Sequence, residues 1–478
     1  MGNSATVVDL NREPRGGRGA IHIAYLDPPY SRYFQGLSQR LARRTGGEVL
    51  ALLSSPAYAM YTGGDRHLVW PPGALADAPA LPADAAHALW SQQAGDAHFR
   101  AVFWHAVAWL REKFRAHGIR LCLVFSDARP FSLAAAVAAR DCGVRCLYVE
   151  RGALRMRTAS LSAQGLNARF SLDAARLLQG IEGLREDAPL GARPQEPWLK
   201  LRFARFLAAN EWACRVAPDR RLLQHKRYDP LSYARLWLSQ RWASFKLARR
   251  SDAEPRIDED APAVLLPLQL PADSQFRLHS PFADNQAFID FVVQQARLMA
   301  PQLPVLVKRH PMDGAHYRLP PGARWVGGNL SRLYGPGLLV VCINSTVGFE
   351  AAARGVPVIC FGPSFYTASA AIALAQRGNF AQLLAERIGA PLDVAGGRAL
   401  LADVLRWYQS PGDTWGYTDA DLEATADIAL QHFRAAEAPH QQPQWLLQMP
   451  PRAVATAAEA PAPVRQPAAV ASRQASQV

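Results

Sequence analysis

Two apolar runs in the second half of the chain stop abruptly at polar clusters, and this confines the fold more than any other feature. Val305-Leu306-Val307 runs into Lys308-Arg309-His310-Pro311, and Leu338–Ile343 runs into Asn344-Ser345-Thr346, after which Val347–Arg354 has the pattern of a helix. Apolar runs this short are buried strands. Strands alternating with helices build a parallel sheet with right-handed crossovers, and polar residues at the carboxyl ends of such strands line a ligand crevice. A cation pair, an imidazole and a Ser/Thr-rich helix start suit a phosphate-bearing ligand. Successive strand residues face opposite ways, which turns Arg309 from Lys308 and His310. The plainer alternative is that Asn344 or Ser345 only caps the helix.

The same alternation fills the first half. Strands are expected at Ile21–Leu26, Val49–Leu53, Leu121–Phe125 and Val144–Val149, with helices at Phe34–Arg44 and Phe131–Arg140. The second half supplies strands at Val264–Leu268, Val305–Val307, Leu338–Ile343 and Val356–Phe361, with helices at Asn285–Met299 and at 397–409 and 419–434 closing that half. The chain therefore divides into a disordered start (1–19), a Rossmann-like first domain (20–195), a basic, aromatic helical segment with an acidic linker (196–262), a Rossmann-like second domain (263–435) and a disordered Ala/Pro/Gln-rich tail (436–478). The fold class is α/β: two Rossmann-type domains facing an interdomain cleft, as in GT-B glycosyltransferases.

Composition narrows the partners. The net charge of +13 rests almost wholly on arginine, with only five lysines, one of which is Lys308. It calls for an anionic partner without choosing among nucleotide, acidic saccharide, nucleic acid and lipid surface. Between Lys200 and Arg250 there are thirteen Lys/Arg and three acidic residues, interleaved with Trp212, Trp237, Trp242, Phe203, Phe206 and Phe245. Such helices either lie on an anionic membrane surface or pack between the domains with arginine solvating their outer side. No recognised nucleic-acid motif accompanies them. The six cysteines have neither Cys-x-x-Cys nor zinc-type spacing, which argues against a metal or a disulfide. Met1–Gly19 lacks the apolar core of a signal peptide, and no run reaches the length of a membrane span. A cytosolic chain is expected.

Three carboxylates are candidates for chemistry. Glu150 closes a strand of the first domain and Asp273 follows a strand of the second, so one could stand on each side of a cleft, as retaining glycosyl transfer requires. Asp127 with Arg129 is the third candidate, and could equally be a structural ion pair. No Gly-x-Gly-x-x-Gly, Walker loop, nucleophile elbow or His-Glu-x-x-His is present.

Four segments resemble the capsule polysaccharide synthesis proteins, bacterial β-Kdo transferases that build the glycolipid base of capsules. They are Leu123–Phe131 with its Asp-x-Arg-Pro; Glu150-Arg151-Gly152-Ala153-Leu154-Arg155 with Gly165-Leu166-Asn167; Pro267-Leu268-Gln269 with Asp273-Ser274-Gln275 and His279-Ser280-Pro281; and Lys308–Asp313 with Ile343–Phe349. Met156 departs from the proline that the family often carries after the arginine matched by Arg155.

The resemblance implies a metal-free, cofactor-free retaining transferase using CMP-β-Kdo. In that reading Asp273 is the nucleophile and Glu150 the acid/base, with Asp127 the rival for either role. Lys308, His310, Pro311, Asn344, Ser345, Thr346, Gln269, Ser274 and Gln275 form the nucleotide-sugar site, while Arg129, Arg155 and Asn167 serve the acceptor or the structure. The acceptor is a phospholipid or Kdo-primed glycolipid, and the protein sits peripherally on the cytoplasmic face of the inner membrane, beside capsule assembly or export proteins. Two other readings stay open: a GT-B transferase using another nucleotide sugar such as CMP-sialic acid, and a non-catalytic assembly or export scaffold. No nucleic-acid partner is implied.

Overall fold

The computed structural model describes residues 20–82, 86, 89–90, 96–177, 181–185, 190–193, 195, 198–224, 230–231, 233–235, 238 and 262–435. The expected disordered ends, the acidic linker up to Ala261 and the Trp237, Trp242 and Phe245 part of the basic segment lie outside the described residues.

The first half runs β1 (His22–Leu26), α1 (Tyr33–Thr45), β2 (Val49–Leu53), β3 (His67–Val69), α2 (Asp96–Ala116), β4 (Ile119–Phe125), α3 (Pro130–Cys142), β5 (Arg145–Arg151), β6 (Thr158–Ser162), α4 (Leu172–Arg176) and α5 (Leu199–Val216). The second runs β7 (Ala263–Pro267), α6 (Ser274–His279), α7 (Asn285–Met299), β8 (Val305–Lys308), β9 (Ala323–Trp325), β10 (Leu338–Cys342), α8 (Thr346–Ala352), β11 (Val358–Cys360), β12 (Ile372–Leu374), α9 (Phe380–Arg387) and α10 (Val394–Tyr408). The chain closes with β13 (Gln409–Pro411) and α11 (Asp419–Ala435).

Each half carries its own sheet. The second is wholly parallel, in the order β12-β11-β10-β7-β8-β9. The first has the corresponding parallel order β5-β4-β1-β2-β3, extended at the β5 edge by antiparallel β6 and β13. Both are Rossmann-type orders, and in both the order reverses at one place: between β1 and β4, and between β7 and β10. Ligands bind at the carboxyl ends of the strands beside such a reversal. The central strands read as continuous apolar runs because helices cover both sheet faces; Ile23–Leu26, Leu121–Val124, Val264–Leu266 and Leu339–Ile343 are all buried.

The C-terminal stretch departs from expectation. Residues 397–434 were assigned to the second half, but β13 pairs with β6 in the first sheet, Gln409 opposite Ser160. Helix α11 lies against α1. Its Leu422, Ala426, Ala429 and Phe433 join the core formed by Tyr33, Phe34, Leu37 and Leu41, and Arg40 and Arg44 bond Asp419, Glu423 and Asp427 across the contact. The physical reason is a matching apolar stripe on each helix. Helix α10 bridges the halves, since Tyr408 stacks on both Phe170 and Phe365. Among the described residues no helix is long and apolar enough to cross a membrane.

Candidate functional site

In the second half the reversal point is pinned by two amides. Gln269 Nε2 donates to Asn344 Oδ1 (2.8 Å) and Asn344 N donates to Gln269 Oε1 (3.2 Å). Asn344 Nδ2 donates onward to the Gln275 and Pro363 carbonyls. Both side chains are buried, so Gln269 and Asn344, expected to meet the nucleotide, are occupied in clamping the ends of β7 and β10. Among the described residues Gln275 Oε1 is buried without a hydrogen-bond partner.

The turn into α8 is equally committed. Ser345 Oγ caps it by accepting from Val347 N (3.2 Å), and Tyr366 Oη donates to the Ser345 carbonyl (2.6 Å). Only glycine fits at 348, where a Cβ would lie 2.7 Å from that Tyr366 oxygen. Thr346, the first residue of α8, is half-buried.

The basic cluster divides. Arg309 does turn away, stacking over Trp325 (4.8 Å) and Tyr317 (5.7 Å). Lys308 Nζ donates to the Gly328 carbonyl (2.9 Å) in the loop after β9, and burial lowers its pKa. His310 stays at the cleft. Its Nδ1 accepts from Met312 N (3.1 Å), which places the proton of the neutral ring on Nε2. Burial lowers its pKa, while Asp273 and Asp313 act to raise it. Ser274 is half-buried beside Asp273, and Pro311 is exposed.

Asp273 is the N-cap of α6, with Oδ1 accepting from Gln275 N (2.9 Å). Capping does not neutralise it: burial raises its pKa, opposed by the Gln275 N–H and by the charges of Arg155 and His310. Asp273 is therefore both a cap and a cleft carboxylate.

In the first half Glu150 lies one residue from the end of β5, half-buried, and its Oε2 accepts from Asn167 Nδ2 (2.7 Å). Burial raises its pKa and the nearby Asp127 raises it further, while Asn167 and Arg155 pull it down and Asp273 adds a smaller upward push. Asp127 is only 2 % exposed, and its Oδ2 accepts from Leu166 N (2.7 Å). The expected catalytic candidate thus holds the loop that brings Asn167 to Glu150. Asn167 sits at φ 51°, a left-handed conformation that asparagine tolerates better than most residues. Arg129 spreads over Phe125 (4.4 Å) and donates to Tyr30 Oη (3.4 Å).

Arg155 projects from the loop between β5 and β6. Gly152 opens that loop, since a Cβ there would come within 2.3 Å of the Thr158 carbonyl. Asp413 anchors it, accepting from Arg151 Nη2 (2.8 Å) and Met156 N (3.1 Å). Met156 has φ 62°, which proline cannot adopt, so the departure from the family pattern is written into the backbone. The charge of Arg155 bears on Glu150 from one half and on Asp273 and His310 from the other. The carboxyl ends of the two sheets therefore face each other around a mixed cluster of two carboxylates, an imidazole and a guanidinium.

Sequence reasoning missed the contributions of Asp413 and Tyr408, which arrive from the far end of the chain. It also missed Asp27, half-buried just after β1, where Oδ1 and Oδ2 accept from Ser54 N (2.8 Å) and Ser54 Oγ (2.5 Å). Burial raises its pKa to about 7 against the downward pull of Ser54 and Arg129. A crevice of about 10 Å³, roughly one water molecule in size, is lined there by Asp27, Tyr58, Arg129 and Gln224. An acidic residue before Pro28-Pro29 at a strand end was the available signal.

Comparison with known proteins follows from this geometry. The capsule polysaccharide export protein KpsS of Escherichia coli is 29 % identical over 289 residues, covering 54 % of this chain and 71 % of KpsS. Protein FixF of Sinorhizobium fredii is 39 % identical over 109 residues, 22 % of this chain and 27 % of FixF. Among solved structures, the KpsC β-Kdo 2,7-transferase of Thermosulfurimonas dismutans aligns at 17 % identity and a TM-score of 0.33, over 66 % of this chain and 88 % of that one. The calicheamicin glycosyltransferase CalG4 aligns at 13 % identity and a TM-score of 0.32, over 88 % and 100 %. A profile described as capsule polysaccharide biosynthesis protein matches residues 121–320 and 324–374, more than half of the chain and all four segments quoted above. The chain belongs to the capsule polysaccharide biosynthesis protein family.

Proposed function

We propose that the protein is a retaining glycosyltransferase of capsule biosynthesis, moving β-Kdo from CMP-β-Kdo to a phospholipid or Kdo-primed glycolipid. One observation carries this reading: Glu150 and Asp273 reach the cleft from opposite halves, both held above the usual carboxylate range by burial and both under the charge of Arg155. In the first displacement an Asp273 oxygen bonds to the anomeric carbon as the bond from that carbon to the phosphate oxygen breaks and CMP leaves with the electron pair. In the second the acceptor hydroxyl displaces Asp273 while Glu150 takes the hydroxyl proton. Two inversions give retention. The His310 Nε2–H, the Arg155 guanidinium and the Thr346 hydroxyl meet the negative charge that grows on the departing phosphate. Lys308, turned to Gly328, acts through the β9 loop, and Gln269 and Asn344 act by clamping the strands beneath. The protein works at the cytoplasmic face of the inner membrane, next to the capsule assembly and export machinery.

The test is a transfer assay with CMP-Kdo generated in situ, offered with a fluorescent lysophospholipid and separately with a Kdo-primed lipid, product mass being read directly. Product on the bare lipid makes the protein an initiating transferase, and product only on the primed lipid an elongating one. The word export in the relative's name favours a second reading, a non-catalytic scaffold. Folded protein that binds CMP but yields no product with CMP-Kdo, CMP-sialic acid or UDP-sugars would support it.

A further inference from the structure

Helix α5 has two unlike faces. Phe206, Leu207, Asn210, Ala213 and Cys214 are buried. On the opposite side Trp198 at its cap, Leu201, Trp212 and Val216 are 67 %, 55 %, 69 % and 69 % exposed. At about 100° per residue these four fall within one narrow stripe roughly 27 Å long. Exposed tryptophan is uncommon, and two on one stripe mark a contact surface. Arg205 and Arg215 lie on the same side, both exposed. The single acid of the helix, Glu211, is half-buried and already bonded to Arg215 and Arg221.

We propose that this outer face of α5 docks the protein on an anionic lipid surface. The chemistry fits that occupant: indole rings settle at headgroup depth, leucine and valine reach the acyl boundary, and arginine pairs with lipid phosphate. The inner face gives the docking a purpose. Phe206 packs on Tyr30 (5.2 Å) and Tyr58 (4.8 Å), and Phe203 on Tyr30 (5.2 Å). Tyr30 follows β1 and accepts from Arg129. One helix therefore couples the lipid surface to the carboxyl ends of the first sheet, on the acceptor side of the cleft. The inference deepens the lipid-acceptor part of the function above, and its test needs neither donor nor acceptor.

Vesicles of phosphatidylglycerol and phosphatidylcholine in equal parts, and of phosphatidylcholine alone, are pelleted with the full chain and with a W198A/W212A variant whose melting curve and CMP binding match wild type. Wild type should partition onto the anionic vesicles, weakly onto neutral ones, and less as salt rises. The variant should lose at least about tenfold in partitioning, and R205E should lose binding to anionic vesicles only. Equal partitioning of wild type and W198A/W212A overturns the proposal. So does a wild-type dimer that W198A/W212A converts to monomer, since the face would then belong to a second copy. Vesicle binding without Kdo transfer leaves the docking face standing and defeats only the reaction.

Discussion

Asn167 Nδ2 donates to Glu150 Oε2 at 2.7 Å from a backbone held at φ 51°. The amide lowers the Glu150 pKa against burial and Asp127, which raise it. Removing the amide without straining the backbone, as in N167G, should let Glu150 titrate higher. The limb of the pH–rate profile that needs ionised Glu150 then moves to higher pH, with a smaller loss of rate than the roughly 10²- to 10⁴-fold expected for E150Q. An N167G profile superimposable on wild type would remove Asn167 from the mechanism.

Asp273 serves as cap and as proposed nucleophile, and two substitutions separate these roles. Asparagine caps a helix as well as aspartate does, so D273N should melt close to wild type yet lose transfer. D273A should lose transfer and about 1 kcal/mol of stability. H310A should likewise abolish most transfer with an unchanged melting curve. Transfer retained by D273N would move the nucleophile elsewhere.

The Gln269–Asn344 pair predicts a coupled response. Replacing Gln269 with leucine leaves Asn344 Oδ1 without its donor, and replacing Asn344 leaves Gln269 Nε2 without its acceptor, so either change should cost about 1–3 kcal/mol. The double variant Q269L/N344L should cost less than the sum of the two, which a double-mutant cycle by denaturant unfolding would read. Strict additivity would mean that the clamp contributes nothing as a pair.

Asp27 makes stability depend on pH in an unusual sense. Its carboxyl keeps its proton up to about pH 7 in the folded protein, against an ordinary value of 3.8. Between those values the folded state binds the additional proton, so this group's contribution to stability falls as pH rises from about 4 to 7. D27N can retain both contacts with Ser54 and cannot ionise. Its melting temperature should therefore decline less than that of wild type between pH 5 and pH 8, and parallel declines would refute the assignment. His432, buried at 2 % exposure with its pKa lowered to about 4, acts oppositely, its contribution being lost as pH falls through about 6.5 toward 4.

The alternation of apolar runs with helical patterns was enough to place β1, β2, β4, β5, β7, β8 and β10, because hydrophobic periodicity is a local property of the chain. Placement of Glu150, Asp273 and His310 at strand or loop ends was legible for the same reason. The sequence by itself thus determined the parallel strands at the centre of each sheet and the polar ends that they present. It left open where short strands such as β6 and β13 would pair, since Gln409 meets Ser160 across 249 residues and no local signal names so distant a partner. Only the tertiary structure decided that Asp127 holds the Leu166 turn, that Gln269 and Asn344 bond each other, that Lys308 bonds the Gly328 carbonyl, and that the charge of Arg155 bears on carboxylates of both halves. The physical reason is that a polar side chain's role depends on which donor or acceptor reaches it when the sheets close, and those partners come from segments far away in the chain.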